Sequence, residues 1–173
     1  EALNKEVLAL AEAGCTYIQV DEPVFARETA AALAYGFENL ERTFYGLPSG
    51  VTRVVHMCCG YPNALDSKTF RKADKDAYFT IADTIEDSSI QEISFEDAHR
   101  HNELSLLEKF SKTKVIFGVV DIASSRMETM DEVRDRISAA LEHIDEDRLV
   151  VAPDCGLGFF TREQAISKMK IMS

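Results

Sequence analysis

The sequence predicts an α/β fold with parallel strands, and the architecture that fits best is a (β/α)8 TIM barrel of which this chain covers roughly the last five βα units. The first observation is a repeated order of short apolar run, polar turn and helical stretch along the 173 residues, which is typical of α/β folds with right-handed crossovers. The second is length, because a complete barrel of this kind needs about 250 residues. We therefore expect residues 1–173 to form the C-terminal part of a single catalytic barrel domain.

Five strands are predicted from runs that are almost continuously apolar or β-branched, as in strands that are buried on both faces of a parallel sheet. These runs cover residues 16–20, 51–57, 90–95, 115–120 and 149–152. An open doubly wound sheet is the competing architecture, and it usually carries a glycine-rich phosphate loop after an early strand. The local match, Gly156-Leu157-Gly158, follows the last strand and lacks the third glycine. The barrel is therefore favoured.

Helical patterns fill the gaps between these strands. They cover residues 2–13, 28–45, 74–85, 103–110 and 162–172. A further helix is predicted from an apolar stripe at spacings of three and four residues, formed by Met130, Val133, Ile137, Leu141 and Ile144. Gly14 is suited to the C-terminal cap of the first helix, since a strand follows it directly.

The charge balance excludes some classes of partner. Lys and Arg total 19 and Asp and Glu total 30, so the formal net charge is −11. Such a chain lacks the basic face that binds nucleic acid or an anionic membrane, and no apolar run is long enough to span a bilayer. The chain has four scattered cysteines and no signal-peptide pattern. We therefore expect a cytoplasmic protein.

Each predicted strand ends in residues that can bind a metal or transfer a proton. The five ends carry Asp21 and Glu22, His56 and Cys58, Glu96 and Asp97, Asp121, and Asp154 and Cys155. In a barrel these ends meet at the face that holds the active site. His56 and Cys58 should point to one side of their strand, and a later cysteine and a carboxylate would complete a tetrahedral zinc site. The alternative is a buried cysteine beside a hydrogen-bonded core histidine, and Cys155 at another strand end weighs against it.

The remaining cysteines and histidines are weaker candidates. Cys59 should point away from Cys58 by strand alternation, so we expect it not to be a ligand. We expect Cys15 to pack in the interior. His99 and His101 follow Glu96 in the sequence and are candidates either for substrate contact or for solvated loop positions. His143 lies late in a predicted helix, where it would complement the helix dipole.

Five motifs in this order resemble those of one enzyme family. They are IQVDEP at residues 18–23, HMC at 56–58, ISFED at 93–97, GVVD at 118–121 and APDCGLG at 152–158. Together they resemble the C-terminal catalytic barrel of cobalamin-independent methionine synthases and their short single-barrel relatives, which include alkyl-coenzyme M transferases. The resemblance implies that the zinc ligands are His56, Cys58, Glu96 and Cys155. It also implies that Asp21 holds the amino group of the substrate homocysteine.

The function that the resemblance implies is zinc-dependent methyl transfer to a small thiol, most simply homocysteine, giving methionine. Bound zinc would lower the pKa of the substrate thiol, and the resulting thiolate would accept the methyl group. We assign a catalytic role to Asp121, at the end of the fourth strand. In the long methionine synthases that use methyltetrahydrofolate polyglutamate, a histidine follows this strand, whereas this sequence has Ala123. We therefore expect a more activated methyl donor, such as a sulfonium compound or a methylated corrinoid.

Three alternatives to this function stay open at the level of sequence. One is a related transferase with an acceptor of the coenzyme M type. Another is a metal-free hydrolase or lyase that uses Asp21, Glu22 and Glu96 for acid/base chemistry. The last is a structural zinc site in a binding protein, because four protein ligands are typical of closed sites.

Overall fold

The computed structural model describes residues 1–67 and 69–173. Its centre is a parallel five-stranded sheet with the strands in chain order. The strands are β1 (Tyr17–Glu22), β2 (Thr52–Met57), β3 (Glu92–Phe95), β4 (Lys114–Val120) and β5 (Leu149–Pro153). All four neighbouring pairs are parallel, so the five carboxyl ends lie along one edge of the sheet. The five predicted strands are confirmed, with small shifts at their ends.

Helices connect the strands and cover the sheet. They are α1 (Ala2–Glu12), α2 (Thr29–Ala31), α3 (Phe37–Phe44), α4 (Ala77–Asp87), α5 (Met130–Ala140) and α6 (Arg162–Lys170). Both α5 and α6 begin with capping boxes, in which a threonine and the glutamate or glutamine three residues later satisfy each other's backbone N–H groups. Within the described residues, no helix is long and apolar enough to cross a membrane.

Two of the predicted helices differ from the structure. The single helix expected over residues 28–45 is divided by a π-helical turn at Ala32–Gly36. Gly36 packs against the ring of Phe25, where a Cβ would approach within 2.8 Å of the ring carbons, so this turn serves close packing. The segment Leu104–Lys109 is a 3₁₀ helix instead of an α-helix. It is only one or two turns long, a length at which 3₁₀ geometry is common.

Burial along the sheet depends on strand position. The central strand β3 is buried at every residue, and β2 and β4 are buried towards their carboxyl ends. By contrast, β1 and β5, which form the two edges of the sheet, are partly exposed. Expected burial on both faces therefore holds for the three inner strands. In the stripe predicted for α5, Val133 is buried, but Met130 is 66% exposed.

Aromatic side chains fill the layer between the sheet and α4. The rings of Tyr78 and Phe95 have centroids 4.5 Å apart, and Phe110 packs on Phe95 at 5.5 Å. Burial of each such side chain contributes about 1.5–3 kcal/mol to stability. Tyr78 also donates a hydrogen bond of 2.7 Å to the carbonyl of Met57. This packing fixes the ends of β2 and β3, two of the three strands that lead into the predicted metal ligands.

Candidate metal centre

The carboxyl ends of three strands bring together four possible metal ligands. His56 lies in β2 and Cys58 just beyond it, Glu96 follows β3, and Cys155 lies two residues after β5. One nitrogen, two sulfur atoms and one carboxylate oxygen from these residues lie within 4.8 Å of one another. Three of the four residues are buried, and Cys155 is partly exposed. The structure thus places the four residues predicted as zinc ligands in one cluster.

The imidazole of His56 is oriented for a metal. Its Nδ1 lies 2.9 Å from Oγ of Ser94, the residue opposite it in the neighbouring strand. Its Nε2 is buried, has no hydrogen-bond partner among the described residues and lies 3.8 Å from Oε1 of Glu96. Leaving a buried polar atom unpaired costs about 1–3 kcal/mol. A cation between His56 and Glu96 would remove that cost, so the residues fit a metal.

The two cysteine sulfur atoms of the cluster are also in contact. A hydrogen bond with Cys155, followed by burial, raises the pKa of Cys58 to about 12, and the same contact lowers the pKa of Cys155. A divalent cation would take the place of the thiol protons, because thiols that coordinate a metal are deprotonated.

Glu96 is the oxygen donor, and its environment favours the neutral acid until a cation is present. Burial, followed by the negative charge of Cys58, raises the pKa of Glu96 to about 8. A bound cation would offset the charge of Cys58 and stabilise the carboxylate. The cluster is therefore built to hold positive charge.

Cys59 is outside the four-donor cluster, as expected, but it contacts the cluster through Glu96. Its Sγ donates to Oε2 of Glu96 at 2.9 Å, and its backbone N–H donates to Oε1 at 3.3 Å. Strand β2 ends at Met57, and alternation of side chains holds only inside a strand. Gly60 then turns the chain with φ 137°, and a Cβ there would lie 2.5 Å from the carbonyl oxygen of Arg71.

A buried aspartate, Asp154, holds the turn that follows Glu96. Its Oδ1 accepts hydrogen bonds from the backbone N–H groups of Asp97 and Ala98, both at 2.8 Å. Its Oδ2 accepts from the backbone of His99 at 2.9 Å and lies 2.6 Å from the Nδ1 of the same residue. The carboxylate reaches this position over Gly118, where a Cβ would collide with Oδ1. Asp154 thereby positions both Glu96 and His99.

The two other predicted site residues lie outside the four-donor cluster. Asp21 is partnered with His56 in the pairing of β1 and β2, and its side chain is exposed at the same edge of the sheet. Asp121 follows β4, and its Oδ1 accepts the backbone N–H of Ala123 at 2.7 Å. Asp121, Ala123 and His99 line a common cavity of about 540 Å³. The imidazole of His99 therefore lines the same cavity as Ala123, whose side chain cannot donate a proton.

A buried lysine fixes the loop that carries Asp121. The Nζ of Lys168 donates to the carbonyls of Asp121 and Arg126 at 2.9 and 2.8 Å and pairs with the carboxylate of Glu128. Glu128 in turn accepts the backbone N–H of Asp121 at 3.0 Å. This network connects α6 to the end of β4 and holds Asp121 in place.

The residues given secondary roles have mixed outcomes. Cys15 is exposed, so the expectation that it packs in the interior is wrong. His101 is 62% exposed and contacts Asp97, whereas His99 is only 5% exposed. His143 lies beyond the end of α5. Its Nδ1 is 2.6 Å from Oε1 of Glu108, so its partner is this carboxylate and not the carbonyl end of a helix, as was expected.

Ser94 was not predicted as a functional residue, and Asp154 was predicted only as one of the polar residues at the strand ends. A signal for Ser94 was present, since it lies two residues before Glu96 and strand periodicity places such residues on one side. The carboxylate of Asp154 bonds to backbone N–H groups of residues 97–99, more than fifty positions away. No local pattern in the sequence indicates such a contact.

Comparisons with known proteins identify the family of this chain. The profile of the family described as "Cobalamin-independent synthase, Catalytic domain" matches residues 1–173. Proteins named methionine synthase are related in sequence: that of Thermococcus kodakarensis is 31% identical over 96% of this chain and 44% of its own length. That of Saccharolobus islandicus is 28% identical over 99% of this chain and 47% of its own length. The chain thus spans about half the length of these relatives.

Solved structures are similar as well. A B12-independent methionine synthase from Shewanella sp. W3-18-1, solved in complex with selenomethionine, is 30% identical and superposes with a TM-score of 0.86 over 98% of this chain and 50% of that one. A protein from Listeria monocytogenes described as a vitamin-B12-independent methionine synthase has a TM-score of 0.68 at 17% identity, a likeness of fold alone. With the match of the family profile to every residue, these findings show that the chain belongs to the cobalamin-independent synthase catalytic-domain family.

Proposed function

We propose that this chain is the catalytic part of a zinc-dependent methyltransferase that converts homocysteine to methionine. The observation that carries the proposal is the cluster of His56, Cys58, Glu96 and Cys155, whose donor atoms lie within 4.8 Å of one another. One nitrogen, two sulfur atoms and an oxygen form a ligand set that suits zinc. The relatives named methionine synthase support the same activity.

We also propose that residues 1–173 are the C-terminal part of a (β/α)8 barrel. Five parallel strands in chain order, with β1 and β5 at the edges, are the arrangement expected of five consecutive barrel strands. The likeness to a Shewanella chain of about twice the length supports this arrangement. From the cysteine content alone, the protein is assigned to the cytoplasm.

The ligands have different tasks in this reaction. When bound, zinc would act as a Lewis acid that lowers the pKa of the substrate thiol. Ser94 holds the ring of His56 with Nε2 towards the cluster. Cys58 and Cys155 supply negative charge, which keeps the substrate sulfur nucleophilic. Glu96 is the ligand most able to give way to that sulfur, because Cys59 already donates to both of its oxygens.

Asp21 is assigned to substrate binding. It is the partner of His56 in the neighbouring strand, and its charge acts on both His56 and Cys155. Its carboxylate is exposed and can pair with the ammonium group of homocysteine, which would orient the sulfur towards the cluster. Asp121 is assigned a catalytic role at the cavity that it lines with Ala123, where a methyl donor would be held.

The alternatives have less support. The Shewanella structure contains selenomethionine, an analogue of the product methionine, which favours homocysteine over an acceptor of the coenzyme M type. Acid/base chemistry without a metal would need free carboxylates, but Glu22 accepts the backbone N–H of Val24 at 2.9 Å and Glu96 faces sulfur atoms. A purely structural zinc site does not account for Asp21 at its open side.

The test is an assay of the full-length protein with homocysteine and a panel of methyl donors, together with its zinc content. We expect one tightly held zinc at this cluster and formation of methionine, both lost in Cys155→Ala and kept in Cys15→Ser, which changes an exposed cysteine. Turnover that survives removal of all metal would refute the zinc proposal. A zinc-loaded protein that methylates other thiols but not homocysteine would refute the substrate.

A further inference from the structure

A second group of donor atoms lies beside the four-donor cluster and shares Glu96 with it. The Sγ of Cys59, a ring nitrogen of His99 and a carboxylate oxygen of Glu96 lie within 4.8 Å of one another. Cys59 Sγ is 2.9 Å from Oε2 of Glu96 and 3.2 Å from Nε2 of His99. Sulfur, imidazole nitrogen and carboxylate oxygen are again the donors that a thiophilic divalent cation prefers.

The two oxygens of Glu96 face different groups. Oε1 lies 3.8 Å from Nε2 of His56, in the first cluster. Oε2 lies 2.9 Å from the sulfur of Cys59 and 3.5 Å from Nδ1 of His99. A carboxylate has lone pairs on both oxygens, so Glu96 can serve one cation through each oxygen.

His99 has the surroundings of a metal-binding histidine. Its Nδ1 lies 2.6 Å from Oδ2 of Asp154, and the Asp154 carboxylate accepts hydrogen bonds from three backbone N–H groups as well. Since this carboxylate acts as an acceptor throughout, Nδ1 carries the proton and Nε2 presents its lone pair to Cys59. Histidines that bind metals almost always donate their other ring N–H to a carboxylate, a carbonyl or water.

The sulfur of Cys59 faces two possible partners, one on Glu96 and one on His99. The thiol of Cys59 has one proton, whereas Oε2 of Glu96 and Nε2 of His99 are both within reach as acceptors. A cation in contact with the sulfur, the nitrogen and the oxygen would satisfy all three.

We propose that Cys59, His99 and Glu96 form a second binding site for a thiophilic divalent cation such as Zn²⁺, joined to the first cluster through Glu96. The positive charges of Lys72 and Arg100 act on Cys59, and the chain supplies three ligands instead of four, so this site binds more weakly than the first. Its remaining coordination position is free for an outside ligand, and His99 lines the cavity of about 540 Å³. The site does not depend on the proposed methyl transfer.

The test is a metal titration of the full-length protein carrying Cys15→Ser, which removes an exposed thiol. Cd²⁺ or Co²⁺ is added stepwise, and bound ions are counted by equilibrium dialysis. We expect about two ions per chain in this background and about one in either Cys59→Ser or His99→Gln. With Co²⁺, the thiolate-to-metal absorption should rise again during the second stage only where Cys59 is present.

The control is His101→Gln, which changes an exposed histidine two residues from His99 and should leave both ions bound. Retention of the first ion shows that each variant is folded. If Cys59→Ser loses both ions, the number of ions bound by His99→Gln tests the second site. A single ion at saturation, or a second ion that persists in His99→Gln, would overturn the second site. Neither result would bear on methyl transfer, which is assayed with one zinc at the first cluster.

Discussion

Ser94→Ala is expected to weaken zinc binding although Ser94 is not a ligand. Its Oγ lies 2.9 Å from Nδ1 of His56, and the residue is only 6% exposed. When Nε2 binds a metal, Nδ1 carries the proton and donates to this hydroxyl. Alanine would leave that N–H unpaired in a buried position and would free the ring to rotate. Loss of such an outer hydrogen bond lowers metal affinity about 10- to 100-fold, which corresponds to about 1.4–2.7 kcal/mol.

The assay is competition for zinc between the full-length protein and a chelator of known affinity, with thermal unfolding as a check on the fold. Ser94→Thr keeps a hydroxyl and should recover most of the affinity. Ser167→Ala removes a hydroxyl on α6 that donates to the carbonyl of Glu163, and it should leave zinc binding unchanged. If Ser94→Ala bound zinc within about twofold of the parent protein, a difference of only about 0.4 kcal/mol, this account of the orientation of His56 would be wrong.

Three further predictions concern the cluster and the loop after β4. Cys58→Ala should lose metal and activity together, whereas Glu96→Gln should keep part of the metal and lose most thiol activation; equally complete loss of zinc in both would contradict the idea of a labile glutamate. Lys168→Met should lower the free energy of unfolding, measured in urea, by about 3–5 kcal/mol, because it leaves the buried charge of Glu128 unpaired. The control Lys170→Met, on the exposed side of α6, should change that free energy by no more than about 0.5 kcal/mol. Similar values for the two variants would refute the role of the buried pair. Ala123→His should raise turnover with methyltetrahydrofolate relative to a sulfonium or corrinoid donor, since it restores a proton donor for the leaving amine; an unchanged ratio in a donor-panel assay would show that position 123 does not set the donor.

The five strands were predictable because their signal is local. A strand buried on both faces has to be apolar along its length, and β3 and β4 follow that rule closely. The position of His56 was predictable because it lies inside β2, where side chains alternate, whereas Cys58 lies one residue beyond the strand. The π-helical turn was not predictable, because it accompanies the packing of Gly36 against the ring of Phe25, a tertiary contact that periodicity does not encode.

Cys59 shows where the sequence argument stops. Alternation predicts opposite directions for neighbouring side chains, but it needs the extended backbone of a strand. The strand ends at Met57, and Gly60 adopts a φ of 137°. Cys59 stays outside the four-donor cluster, as alternation predicts, yet it contacts the cluster through Glu96, which alternation did not predict. Residues at strand ends are thus the ones that carry the chemistry and also the ones for which periodicity predicts least.

The geometry of the cluster depends on a contact across a strand that supplies no ligand. Glu96 follows β3 and Cys155 follows β5, and β4 lies between these two strands in the sheet. Asp154, the neighbour of Cys155, reaches over Gly118 of β4 and accepts the backbone N–H of Asp97, the neighbour of Glu96. Because Gly118 has no side chain, the two ligand-bearing segments are joined directly, and the separation of Glu96 from Cys155 is fixed by hydrogen bonds instead of by flexible loops. The absence of a side chain in β4 therefore contributes to the site as much as the side chains at the ends of its neighbours.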